Sequence, residues 1–318
     1  MEEYSDYQEL NLKITQLFQQ QDYQQAVDLL EKQRINFPEY EFDMSCLLME
    51  LYERLGNIKK RMATIRRGHE QGYFYFLHPD LSKYHEIADN RGFDSLYETD
   101  KKLRMEANRK EKVQYQVVLP DDFTSDKIYP VIMVFHDQGS NFEKCKQNWN
   151  FPQSVKERFI LVFFQSYLHC DYLTYTWTSF DPRIREEVKQ NFKQIKSEYP
   201  ANHNEIYLTG VGAGANAVID LAVNNIIQVS GFIAWFPTQN GYYEPQAVNQ
   251  AASREVRGLI VFNQKDVEGG KFKKLVKTLQ DSKFNYEIIL KKESKSEFRN
   301  IFENEFPDFM VNLNIETT

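Results

Sequence analysis

The 318-residue chain carries 39 Lys and Arg against 46 Asp and Glu, a formal charge of −7, and is 42% hydrophobic and 14% aromatic. That composition can bury a sizeable core, and the length points to two domains. Through Lys110 there are 16 basic and 20 acidic residues, and 23 and 26 beyond it, so neither half reads as a basic nucleic-acid module.

No run approaches the ~18 apolar residues that cross a bilayer, and no membrane partner is expected. The opening MEEYSDYQEL is acidic and has no apolar signal-peptide centre. Cys46, Cys145 and Cys170 are odd in number and form no CxxC pair. They read as free thiols in a reducing, cytoplasmic setting.

Residues 1–110 have helical periodicity throughout. Leu10, Ile14, Leu17 and Phe18 are followed by Ala26, Val27, Leu29 and Leu30, with a turn at 19–22 and a stop at Pro38. A second pair follows over 44–55 and 58–69, joined at Gly56-Asn57. Asp22 and Gly56 are separated by the tetratricopeptide period. "DYQQAVDLLEKQRINFP" resembles the second helix of such a repeat through Tyr23, Ala26, Leu30 and Pro38. The next copy departs from it, because Lys60 stands where a small residue would recur. The segment "LHPDLSKYHEIADNRGFDSLYE" is similar to a worn closing unit. Lys59, Lys60, Arg61, Arg66 and Arg67 read as a solvated helix face or a dock for a phosphate or an acidic peptide. The charged run 99–112 is expected to be a linker or connecting helix.

From 111 the period changes. Strand-like runs at 113–119, 130–135, 159–164, 205–209, 231–236, 258–262 and 286–290 alternate with helical stretches. Several runs are apolar on both faces, as in a parallel sheet covered by helices. Residues 111–318 are therefore expected to form an α/β domain behind an N-terminal helical domain of residues 1–110.

The order of features carries a resemblance. "YPVIMVFHDQGSN" is a buried strand ending in a His-Asp-Gln-Gly turn, and "FILVFFQSY" follows it. "IYLTGVGAGANAVIDLA" then has a glycine turn between strand and helix, and "GLIVFNQKD" ends at Asp266. This resembles the α/β-hydrolase fold, closest to its esterase branch. The resemblance implies a three-layer sandwich with a mostly parallel sheet and a nucleophile elbow G-x-S-x-G. Gly212 then stands at the nucleophile position and Asp266 at the acid position. The Ala213 amide and one from Asp137, Gln138 or Gly139 would form the oxyanion pocket. The histidine would follow the last strand, around 290–298, and no histidine exists after His203.

Two of the three catalytic groups are thus missing, and the resemblance implies a degenerate, inactive hydrolase. His136 is expected to shape its loop, and Trp177 and Trp235 to wall a cleft or pack in the core. Tyr167, Tyr172, Tyr175 and Tyr242 are further aromatic candidates. A rewired site using Ser140 or Ser166 with His136, or a His169–Cys170 dyad, is a weaker alternative. No H-x₃-H or HExxH spacing occurs, so neither a metal nor another cofactor is expected. Gly210, Gly212 and Ala215 also satisfy G-x-G-x-x-A, but the motif sits late in the domain, and the next strand ends in Pro-Thr-Gln instead of an acid.

The expected function is recognition. A small ligand such as a carboxylate or phosphate would sit in the cleft, or a protein partner would bind the N-terminal helices. An active carboxylic-ester hydrolase with a non-standard nucleophile and a helical-repeat adaptor remain the alternatives.

Overall fold

The computed structural model describes residues 4, 6–239, 243–282, 284–293, 295–303 and 306. The chain divides into two compact units, Met1–Lys110 and Glu111–Thr318.

The first unit is built of helical hairpins. Tyr7–Gln19 pairs with Tyr23–Gln33, and Glu41–Arg54 with Ile58–Glu70. The two hairpin turns are alike. Gln21 and Gly56 both take positive φ, and Asp22 and Asn57 stand at the N-cap of the helices that follow. The small Ala26 is fully buried among Leu10, Leu30 and Leu48, whereas Lys60 is exposed. The basic stretch does not act as one face. Arg61 is buried against Glu53 and the Lys83 carbonyl. Arg67 reaches Glu31 and Glu41, and Lys59, Lys60 and Arg66 remain exposed. Most of the run 99–112, expected as a linker or connecting helix, is the end of a long helix, Phe93–Lys110. Its Asp100 is buried and ties the 75–77 segment down through the amides of Tyr75 and Leu77.

The second unit is a mixed α/β domain around one mostly parallel sheet. Its strands are β1 (Gln114–Val118), β2 (Tyr129–Phe135), β3 (Ile160–Gln165), β4 (Leu168–Asp171), β5 (Thr174–Thr176), β6 (Ala201–Val211), β7 (Gly231–Trp235), β8 (Arg257–Asn263) and β9 (Asn285–Lys291). The sheet order is β1-β3-β2-β6-β7-β8-β9, and all its pairs are parallel except β1 with β3. β4 and β5 form a separate hairpin that sequence periodicity did not suggest.

Alternation along the strands builds the layers. Val131, Met133 and Phe135 enter one core with Ile184, Val188, Phe192, Val248, Leu275 and Leu279 from helices. Ile132 and Val134 enter the opposite core with Phe142, Phe298 and Phe302. Burying each such side chain contributes roughly 1.5–3 kcal/mol. A parallel sheet turns the C-terminal ends of β2, β6, β7, β8 and β9 toward one edge, which gathers residues distant in sequence. No described helix is long and apolar enough to cross a membrane.

Candidate functional site

The strand β6 ends at Val211, and the helix Ala213–Val223 starts two residues later. Gly212 makes this turn at φ 57°, ψ −115°, a conformation that L side chains rarely tolerate. Its N–H donates to the Trp235 carbonyl at 2.9 Å. The flanking glycines are required by close packing. A Cβ on Gly210 would lie 2.6 Å from the Gly214 carbonyl, and one on Gly214 would lie 2.3 Å from the Phe135 carbonyl oxygen. The elbow backbone is therefore present, with hydrogen where a side chain would rise.

That space is taken by Asp137, from the turn after β2. A Cβ on Gly212 would lie 1.9 Å from Asp137 Oδ1 and 2.5 Å from its Cγ. Asp137 Oδ1 accepts from the Gln138 amide at 2.7 Å and from the Ala213 amide at 3.0 Å. Its Oδ2 faces Lys295 Nζ at 2.6 Å. One carboxylate thus occupies the meeting point of two main-chain donors and an ammonium, which are charge-assisted contacts of the strong kind.

Of the loop residues Asp137, Gln138 and Gly139, it is Gln138 whose amide meets the same carboxylate oxygen as the Ala213 amide. Gly139, at φ 74°, sends its N–H to the Tyr175 carbonyl at 2.9 Å, and Tyr175 N–H donates to the Ser140 carbonyl at 2.8 Å. The β4–β5 hairpin in this way staples the loop. Asp137 enters as an acceptor through its side chain, a role the sequence did not suggest.

His136 is buried beneath this turn beside Trp177. Its Nε2 accepts the Ser166 N–H at 3.3 Å, so Nδ1 carries the proton and donates to the Asp137 carbonyl at 2.7 Å. Burial lowers its pKa to about 4, and the ring is neutral with both nitrogens committed to backbone. Ser166 Oγ accepts from Leu168 N–H, and Ser140 Oγ faces the Asn141 carbonyl. His169 faces the Asp171 carbonyl and the Glu111 carboxylate.

Asp266 requires a correction. β8 ends at Asn263, and Asp266 lies on the short helix Gln264–Glu268, where its carboxylate is exposed and pairs with Lys271 at 3.3 Å. The residue at the strand end is Asn263. Its Oδ1 caps the Lys265 amide, and its Nδ2 donates to the Glu293 carbonyl at 2.8 Å, bracing the segment that leads to Lys295. An amide that spans strand ends is what the resemblance-based reading missed. From the run "LKKESKSEF", where the resemblance implies a histidine, Lys295 reaches the Asp137 carboxylate.

Trp177 and Trp235 do not wall one cleft. Trp177 packs on Phe135 in one core, and Trp235 on Phe298 and Phe302 in the other. Both are buried, and Trp235 Nε1 donates to Thr209 Oγ1. Tyr167 is buried with its hydroxyl on Asp181, and Tyr172 is exposed. Tyr242 lies outside the described residues. Beside the elbow, Asn216 fixes the loop after β7 by accepting from the amides of Thr238 and Gln239. Among the described residues no three His, Cys, Asp or Glu gather as a metal site.

Neither a scan against protein-family models nor a comparison with curated proteins finds a match. Among solved structures, the chain is similar to a ferulic acid esterase at TM-score 0.50 and 10% identity, over 63% of this chain and 92% of that one. It is also similar to a thermostable esterase, at TM-score 0.47 and 15% identity, over 63% of this chain and 59% of that one. An uncharacterized protein from Bacillus cereus ATCC 10987 aligns at TM-score 0.46 and 16% identity, over 96% of this chain and 99% of that one. The first of these likenesses, together with the sheet order, establishes the fold.

Proposed function

We propose that this chain is an α/β-hydrolase-fold protein that recognises a ligand without hydrolysing it. The observation that carries the reading is the Asp137 carboxylate, which holds the Gln138 and Ala213 amides and fills the space above Gly212. A tetrahedral intermediate would need both the donors and the space. His136 is neutral but has no free nitrogen with which to accept a proton. The ligand class is a small anion at the C-terminal edge of the sheet.

The two helical hairpins of the first unit support a tetratricopeptide-like reading and a protein partner there. Cys46, Cys145 and Cys170 are thiols outside any disulfide among the described residues, which supports a cytoplasmic setting.

Incubation with an activated short-chain ester and with a serine-directed fluorophosphonate tests the reading. No labelled serine is expected, and turnover should stay at or below the roughly 10³–10⁴-fold over water that a site stripped of nucleophile and base retains. Stoichiometric labelling of any serine overturns it.

A further inference from the structure

We propose that Asp137 is a tethered occupant of its own anion pocket, and that the ligand of this site is a carboxylate that enters by displacing it. The inference rests on the non-hydrolytic reading and adds a ligand class and a gate to it.

Three donors converge on Asp137 from three separate elements: the Gln138 amide after β2, the Ala213 amide after β6, and Lys295 Nζ after β9. They present a socket with the demands of a planar two-oxygen anion. One oxygen takes both N–H groups and the other takes the ammonium. Gly212 forms a floor without a side chain, and the three atoms nearest the space above it all belong to the Asp137 side chain.

The gate needs no backbone movement. The loop that carries Asp137 is fixed by the Gly139–Tyr175 and Ser140–Tyr175 hydrogen bonds, whereas the carboxylate itself swings on its side-chain torsions. Both members of the ion pair reach solvent, with 21% of the Asp137 side chain and 42% of the Lys295 side chain exposed. An external carboxylate can therefore approach along the face from which Lys295 arrives. It meets the same donors once Asp137 turns outward.

The tethered group lowers the apparent affinity by the fraction of time the socket is open. A socket open about 1% of the time binds about 100-fold more weakly than a permanently open one. A tetrahedral phosphate would leave oxygens facing the glycine floor without donors, so carboxylate is favoured over phosphate.

The test titrates butyrate, with phosphate and chloride in parallel at matched ionic strength, into full-length protein labelled with ¹⁵N at glycine and alanine. The Gly212 and Ala213 amide resonances report occupancy. Asp137→Ala is expected to show saturable shifts at both amides with butyrate, at an affinity roughly 100-fold above the wild-type chain. Asp137→Ala combined with Lys295→Ala should lose most of that gain. Asp137→Asn, which keeps the shape of the plug but turns an amide group toward Lys295, should fall between wild type and Asp137→Ala, and it decides the matter if Asp137→Ala fails to fold.

Equal butyrate binding by all variants, no saturable shift in either Asp137 variant, or tighter binding of phosphate than butyrate overturns the proposal. Labelling of a serine by fluorophosphonate would overturn the non-hydrolytic reading instead, and the amide shifts are read independently of it.

Discussion

Each unit of the molecule holds a carboxylate by two main-chain amides and one basic side chain. Asp100 accepts from Tyr75 N–H at 2.6 Å and Leu77 N–H at 2.9 Å, with His69 Nε2 at 3.2 Å. Asp137 accepts from Gln138 and Ala213, with Lys295 on its other oxygen. The donor sets match, but the surroundings do not. Asp100 is fully buried and ties together the main chain at 75 and 77 and the His69 ring, so the arrangement is a staple. Asp137 is partly in water and stands over a backbone turn of positive φ, with a lysine whose side chain is 42% exposed. The same contact is structural when water is excluded and exchangeable when water can compete.

The sharpest way to break this comparison is to delete the staple. Asp100→Ala should cost about 3–5 kcal/mol, because it strands two buried amides and His69. The loss would appear as a lowered urea midpoint of the helical unit. A cost near that of an exposed residue would show that Asp100 and Asp137 are alike.

A second prediction concerns His136, held neutral below the Asp137 turn. Its folded pKa of about 4 lies below the ordinary 6.5, so the unfolded chain binds the extra proton between these values. Its contribution is fully present above pH 6.5, falls as pH drops, and is exhausted below about pH 4. The total is about 3 kcal/mol. Urea unfolding at pH 7 and pH 4.5 should differ by less in His136→Gln than in the wild-type chain. Parallel slopes would refute the assignment.

Restoring a side chain at the elbow tests the occupied space. Gly212→Ser should destabilise by about 1–3 kcal/mol, since the new Cβ meets Asp137 and the turn has positive φ. Adding Asp137→Gly should recover the part due to the clash and leave the part due to backbone strain. The denaturation midpoints of the two variants separate these contributions, and no recovery would mean that Asp137 does not fill that space.

The smallest effect is expected from Asp137→Ala alone, about 1 kcal/mol, because water can take over the exposed contacts. A loss as large as that of Asp100→Ala would make Asp137 a second staple.

Much of the second unit was legible along the chain. The seven sheet strands fall within or near the runs read from apolar pattern, and the glycine turn sits between β6 and its helix as its flanking glycines imply. Local pattern reports these features because strand burial and close backbone approach constrain the residue at its own position. The β4–β5 hairpin was missed because its strands are too short to alternate. Asp266 was misplaced by three residues, since a strand end and the first turn of a helix read alike when polar residues cover both.

Composition and order sufficed to show that position 212 has no hydroxyl and that no imidazole follows His203. These are statements about which atoms exist, and an atom absent from the chain is absent from every fold of it. What fills the vacated positions was settled by tertiary structure. Asp137 and Ala213 are 76 residues apart, and Lys295 is farther still. They meet only because the parallel sheet delivers the ends of β2, β6 and β9 to one edge, and the direction of a loop side chain there depends on neighbours that no local pattern encodes.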